Sequence, residues 1–116
     1  GLVKLGVADY FVVDLPEAGC VNELLKVATE ADKAGIECAF HCWHDLGIKT
    51  SAMAHIVSAH RAFSAASDTT YHGLVEDIIS NPHKISHGQL SVPEGPGLGI
   101  EVNRDILNKY RKQEID

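Results

Sequence analysis

Three short apolar runs in this chain each end abruptly in an ionisable residue, and the endings recur at one interval. Tyr10-Phe11-Val12-Val13 runs into Asp14, Cys38-Ala39-Phe40 runs into His41, and Ser64-Ala65-Ala66-Ser67 runs into Asp68. Twenty-seven positions separate each ending from the next. Strand-like segments that end in an acid or a base, with a helix-sized insert between them, are how a βα barrel presents chemistry at one rim. The interval is short even for a barrel unit. Such regularity favours a segment of a barrel over an open doubly wound sheet, and the alternating order demands parallel strands.

The elements follow from local pattern. Leu2 to Gly6 reads as the tail of a helix whose start is missing. Val7 to Val13 is rich in Val, Tyr and Phe, and reads as a parallel strand buried on both faces. Asp14 to Gly19 contains Pro16 and Gly19 and reads as a loop. From Val21 to Lys33 the apolar residues Val21, Leu24, Leu25, Val27, Ala28 and Ala31 fall at helical spacing, and Gly35 supplies the stop. Ile36 to Phe40 is the second strand. A third helix is expected to be capped by Thr50 or Ser51 and to bury Met53, Ala54, Ile56, Val57 and Ala59. The stretch from Phe63 to Ser67 predicts a short strand ending at Asp68. Asn81-Pro82 marks a turn, and Ile85 to Val92 predicts a hairpin or two short strands. The Pro93-Glu94-Gly95-Pro96-Gly97-Leu98-Gly99 loop is strongly constrained by its prolines and glycines. Asn103 is a good N-cap for a helix over Arg104 to Lys112. This tail does not follow the barrel pattern.

Composition narrows the functional classes. The chain has 116 residues, with 45% hydrophobic and 22% charged, so it can form a folded domain or a piece of one. A net charge of −6 argues against nucleic acid, which calls for a basic stripe. No apolar run approaches the ~20 residues that a membrane span needs. Cys20, Cys38 and Cys42 are odd in number and suggest no disulfide framework, which predicts a reducing, cytoplasmic setting. The chain opens on Gly1 without an initiator Met and reads as a fragment of something longer.

His41 is the strongest chemical candidate. Neighbouring strand ends in a parallel sheet lie ~5 Å apart, so His41 and Asp14 are expected to hydrogen-bond. A carboxylate on one ring nitrogen fixes the tautomer and leaves the other nitrogen to take and return a proton. The competing roles are structural: Asp14 as a loop cap, and Asp68 as a cap beside Thr69 and Thr70. Cys38, His41, Cys42 and His44 invite a zinc reading, but four ligands within seven residues do not easily wrap one tetrahedral ion. Cys38 also falls inside the predicted strand. Gly95 to Gly99 lacks the Lys-Ser/Thr of a phosphate loop, and its prolines remove donors, so it reads as a structural turn.

Val92-Pro93-Glu94-Gly95-Pro96-Gly97-Leu98-Gly99-Ile100-Glu101-Val102 resembles the VP…PGLGVEVD signature that closes chains of the enolase superfamily, particularly its mandelate racemase and sugar-acid dehydratase branch. Tyr10 to Asp14, Gly19, the following helix and Phe40-His41 resemble that branch's sixth and seventh barrel strands. Ser67-Asp68-Thr69-Thr70-Tyr71-His72-Gly73-Leu74 resembles the eighth, in the form of glucarate-dehydratase-like members. Gly19-Cys20 departs from the family's doubled glycine. The resemblance implies an α/β fold in which residues 1–80 form strands six to eight of a TIM-type barrel. Residues 81–116 form a tail that packs on an N-terminal capping domain. It further implies an enzyme that removes the proton α to a carboxylate, with Mg²⁺ stabilising the enediolate. His41 becomes the general acid/base, Asp14 its partner, and Asp68 the group on the enediolate oxygen, where many relatives have Glu. Trp43, His44 and Tyr71 become candidate pocket-lining residues. The metal ligands, a lysine base and the capping domain are all expected before residue 1, with no metal held within this chain, so the fragment alone is expected to be inactive. The implied partner is a sugar acid or another small carboxylate, bound by a cytoplasmic homo-oligomer. Dehydration is the leading reaction. Racemisation, epimerisation, cycloisomerisation of the muconate lactonizing type and a non-catalytic α/β domain are the alternatives.

Overall fold

A computed structural model describes residues 1–111. Its centre is a parallel strand pair, β1 (Tyr10–Val13) and β2 (Glu37–Phe40), with Val13 opposite Phe40. Between them run a short helix α2 (Leu15–Ala18) and a long one, α3 (Val21–Lys33). A one-turn helix α1 (Leu2–Leu5) precedes β1, and α4 (Gly47–Ala59) follows β2. Where a loop was expected after Asp14, the chain makes α2 instead, because Pro16 lies in its first turn, where a missing N–H costs nothing.

The end of α3 follows the sequence expectation. Gly35 adopts φ of 71°, which lets the Ile36 N–H reach back to the Ala31 carbonyl at 2.9 Å. Leu24, Ala28 and Ala31 are the buried face of α3, and they meet Phe40 from β2, Met53 and Ile56 from α4, and Phe63. Val21 and Val27, also expected inside, are partly exposed. β1 departs further from expectation. It spans four residues and buries only one face: Phe11 and Val13 pack on the core, while Tyr10 and Val12 face outward. β2 flanks it on one edge, and no strand among the described residues takes the other.

Two expectations about the middle of the chain are corrected. α4 begins at Gly47, earlier than predicted, so Thr50 and Ser51 are not caps but buried residues of the helix. Their hydroxyls donate backwards to the carbonyls of Leu46 and Gly47. The predicted strand over Phe63 to Ser67 is irregular. It still runs beside β2: the Cys38 N–H donates to the Ala62 carbonyl and the Asp68 N–H to the Phe40 carbonyl. Five residues intervene between Ala62 and Asp68 against one between Cys38 and Phe40, so no regular ladder forms.

Asp77 provides the cap that α4 lacks in its own sequence. This buried carboxylate accepts from Gly47 N (3.0 Å), from Ile78 N (2.7 Å) and from the Tyr71 hydroxyl. His83 closes the knot, donating its backbone N–H to the Tyr71 oxygen and placing its ring on Ser51 Oγ and the Gly47 carbonyl. Farther on, β3 (Ile85–Ser86) and β4 (Gln89–Leu90) form an antiparallel hairpin. His87 and Gly88, both at positive φ, make its turn. Gly99 is needed for close approach: a Cβ there would sit 2.8 Å from the Pro93 carbonyl. The chain then pairs Val102 with Ile79, and α5 (Arg104–Tyr110) starts with Asn103 accepting from Asp105 N and Ile106 N. Lys112, the expected end of this helix, lies outside the described residues. This tail is fastened to the body, since the 78–80 stretch pairs with 101–103 and Glu76 accepts from Lys109 and Tyr110. No helix among the described residues is long and apolar enough to cross a membrane.

Gly47 tests the knot. Alanine in an exposed helix would stabilise by ~1 kcal/mol. Here its Cβ would overlap Asp77 Oδ2 and Ile79, the Cγ1 atom of the latter at 2.7 Å. Gly47→Ala is therefore expected to destabilise the fold by ~1–3 kcal/mol, as read by urea denaturation.

Candidate active site

The β1–β2 register brings Asp14 and His41 side by side in the backbone, and His41 N donates to the Val13 carbonyl at 2.7 Å. Their side chains then diverge. Asp14 is buried, and its Oδ1 lies 2.6 Å from Lys49 Nζ, in the first turn of α4. Lys49 also contacts Asp45 Oδ2 at 2.8 Å. Asp14 Oδ1 is buried, and the Lys49 ammonium is the cation that faces it. Burial alone would depress the Lys49 ammonium. Its contacts with Asp14 and Asp45 outweigh that and hold it above the ordinary lysine value.

His41 pairs instead with Asp68. Its Nδ1 lies 2.9 and 3.0 Å from the two carboxylate oxygens, so the N–H donates to Asp68. Asp68 is itself oriented, because Oδ1 accepts from Cys42 N at 3.0 Å and its backbone is tied to Phe40. The expected Asp14–His41 hydrogen bond is thus not the one observed. The physical reason is Lys49, which draws the Asp14 carboxylate toward α4.

The pocket candidates separate. Trp43 is exposed and stands edge-on to the His41 ring, with centroids 5.5 Å apart at 81°. The Thr70 hydroxyl caps the Trp43 carbonyl and contacts His44 Nδ1 at 3.1 Å. His44, Asp45, Leu46 and Lys49 line an open groove of about 540 Å³ with Leu15 and Pro16. Tyr71 does not belong to this rim: it is buried, with its hydroxyl held by Asp77 and His83. Cys38 and Cys42 lie in the core, where Cys42 Sγ meets Met53 Sδ at 3.2 Å. Among the described residues, no three His, Cys, Asp or Glu side chains converge so as to hold a metal ion.

Lys49 and Asp77 were missed at the level of sequence. Lys49 had a signal, since it lies four residues after Asp45. Asp77, thirty residues from Gly47, had none.

A parallel βα unit with an oriented imidazole at a strand's C-terminal end defines an α/β enzyme-type scaffold. The family model for the enolase C-terminal domain-like unit matches residues 1–106, and the chain belongs to that family within the enolase superfamily. It is 29% identical to a D-galactarolactone cycloisomerase of Agrobacterium fabrum, covering 94% of this chain and 31% of that protein. It is 30% identical to a D-xylonate dehydratase of Haloferax volcanii, covering 94% and 26%. The fold superposes on an isomerase from Streptomyces coelicolor A3(2) with a TM-score of 0.87 and 32% identity, over 93% of this chain and 29% of that one. It also superposes on an enolase from Pseudomonas fluorescens Pf0-1 with bound magnesium, potassium and tartrate, at a TM-score of 0.83 and 28% identity, over 92% and 26%. The chain spans less than a third of the length of each.

The buried thiols yield a test. Burial, reinforced by the Asp45 carboxylate and opposed by Lys49, pushes Cys42 up to about 12. Burial and the bond to Asp77 likewise raise Tyr71 to about 12. A raised folded value stabilises below the unfolded value and is lost as pH rises through the folded one. Unfolding free energy should therefore fall from about pH 9 to about 12, and Cys42→Ala should flatten that slope in urea titrations. In the native state only Cys20, which is exposed, should react rapidly with a thiol reagent.

Proposed function

We propose that this chain supplies the acid–base half of an enolase-superfamily active site that abstracts the proton α to a carboxylate, in a sugar-acid dehydratase. The observation that carries this reading is the His41–Asp68 pair at the C-terminal end of β2. With Nδ1–H donated to Asp68, Nε2 of neutral imidazole is the basic atom. It accepts the α-proton, and the Asp68 carboxylate stabilises the imidazolium so formed. In dehydration the same imidazolium returns its proton to a departing β-hydroxyl, whereas racemisation needs a second acid on the opposite face of the enediolate, since return of the proton from His41 would restore the original configuration. Trp43, edge-on to the ring, shields one side of it from water. The relatives differ in the reaction they perform: one is a D-xylonate dehydratase, another is a cycloisomerase, and a structural neighbour is an isomerase.

Residues 1–80 then contribute barrel strands, with the outward Tyr10 and Val12 of β1 meeting further strands. Residues 81–116 pack on a capping domain through the exposed Leu107 and Tyr110. The substrate class follows the tartrate bound by the Pseudomonas fluorescens relative. Magnesium is the cofactor we assign, on that same relative. Its ligands belong outside the described residues, and no step above passes through it.

The full-length protein, supplied with Mg²⁺ and a panel of aldonic and aldaric acids in deuterated water, should wash deuterium into the α-position. A 2-keto-3-deoxy product marks dehydration, and inversion without loss of water marks racemisation. His41→Asn should reduce α-exchange by ~10²–10⁴-fold with the fold intact, as circular dichroism checks. Near wild-type exchange in that variant would refute the acid–base assignment.

A further inference from the structure

We propose that Thr70 is a positioning residue that sets the turn after β2 so that Trp43 stands against the His41 ring. This inference rests on the acid–base reading of His41 given above. The segment leading to Thr70 forms no regular ladder with β2, yet its side chains follow the strand end and the turn beyond it. Phe40 N donates to Ser67 Oγ at 3.1 Å, and Cys42 N donates to Asp68 Oδ1 at 3.0 Å. The Thr70 hydroxyl then donates to the Trp43 carbonyl, and its oxygen lies 3.1 Å from His44 Nδ1. With the hydroxyl proton spent on Trp43, the Thr70 oxygen accepts from His44, which fixes that ring as the Nδ1–H tautomer.

Trp43 depends on these contacts because packing does not hold it. A buried aromatic takes its orientation from close-packed neighbours, but Trp43 is 65% exposed. Its backbone is instead pinned on either side. Asp68 holds Cys42 N before it, and Thr70 holds the Trp43 carbonyl and the His44 ring after it. Between those points the direction of the indole is set, edge-on to His41 with centroids 5.5 Å apart at 81°. Asp68 also bonds the His41 ring, so a change there mixes two tasks. The Thr70 hydroxyl bonds to the turn and not to the ring. Thr70 is itself exposed, so it contributes little by burial and acts through its hydroxyl. Without that hydroxyl the peptide between Trp43 and His44 loses its anchor, and the indole loses its fixed place beside the imidazole. Thr70 thus acts through Trp43 and does not touch the reacting atoms.

The test uses the full-length protein and an isosteric change, Thr70→Val, which removes the hydroxyl and keeps the shape. The variant should retain the wild-type circular dichroism, since the side chain is exposed. Its kcat for α-exchange should fall on the order of 10-fold with little change in KM, and Thr70→Ser should restore it. In Trp43→Leu, where kcat is already reduced, Thr70→Val should add little, because both changes remove one contact. The carbon-bound protons of the His41 ring, assigned by their loss in His41→Asn, report the placement directly, since the indole ring current displaces them. Thr70→Val should move them toward their positions in Trp43→Leu, and Thr70→Ser should not. An equal loss of kcat from Thr70→Val with and without Trp43 overturns the proposal. Ring protons that stay in place in Thr70→Val overturn it as well, as does wild-type kcat in Trp43→Leu. Should Thr70→Val fail to fold, Thr70→Ala undergoes the same comparisons and decides. Failure of the acid–base reading is seen separately, as α-exchange that survives His41→Asn.

Discussion

The buried carboxylate of Asp77 is the contact on which the arrangement of the site depends. It takes the place of an N-cap that Leu46 cannot provide, accepting the Gly47 N–H from thirty residues away. It also accepts from Ile78 N and from the Tyr71 hydroxyl, so one residue unites the helix start, its own turn and the 71–73 segment. Removing such an acceptor would leave buried donors unsatisfied, at roughly 1–3 kcal/mol each. The knot also explains why Gly47 must be glycine and why Tyr71 is drawn inward from the rim.

From that anchor the geometry of the strand ends follows in short steps. Fixing the first turn of α4 fixes Lys49, and Lys49 fixes Asp14. The other side of α4 buries Met53 and Ile56 against β2, which sets the strand end that carries His41. His41 is then held between two acidic neighbours, one captured by a lysine and one available to the ring. An ordinary lysine on the helix surface would be worth a few tenths of a kilocalorie to its i−4 partner. Between two carboxylates and largely withdrawn from water, the same residue holds Asp14 toward α4.

Periodic features were legible in the residues and local polar contacts largely were not. The helix over Val21–Lys33 was evident in full, because Leu24, Ala28 and Ala31 recur at helical spacing and Gly35 ends it. The parallel pairing and the recurrence at Asp14, His41 and Asp68 were evident for the same reason: spacing is a property of sequence. The start of α4 was not, since its cap comes from Asp77, and Thr50 and Ser51 bond backwards to carbonyls instead. The stretch before Asp68 was read as a strand from its small apolar residues, but its backbone pairs with β2 only at Ala62 and Asp68, and Phe40 N donates to the Ser67 side chain rather than to a carbonyl. Which carboxylate His41 holds was out of reach, because register places Asp14 beside it and only a third residue, from another element, reverses the choice.

That reversal bears on how such a site can be tuned. A histidine flanked by two carboxylates has two pairing geometries, and each aims Nε2 differently. A lysine that neutralises one carboxylate selects the geometry without contributing a charge to the ring itself. The net charge of the group formed by Asp14, Asp45 and Lys49 is then −1, and Asp68 adds a second negative charge beside His41. The two carboxylates are thereby engaged in different contacts, Asp68 with the ring and Asp14 with the ammonium, so a change at Lys49 acts first on Asp14.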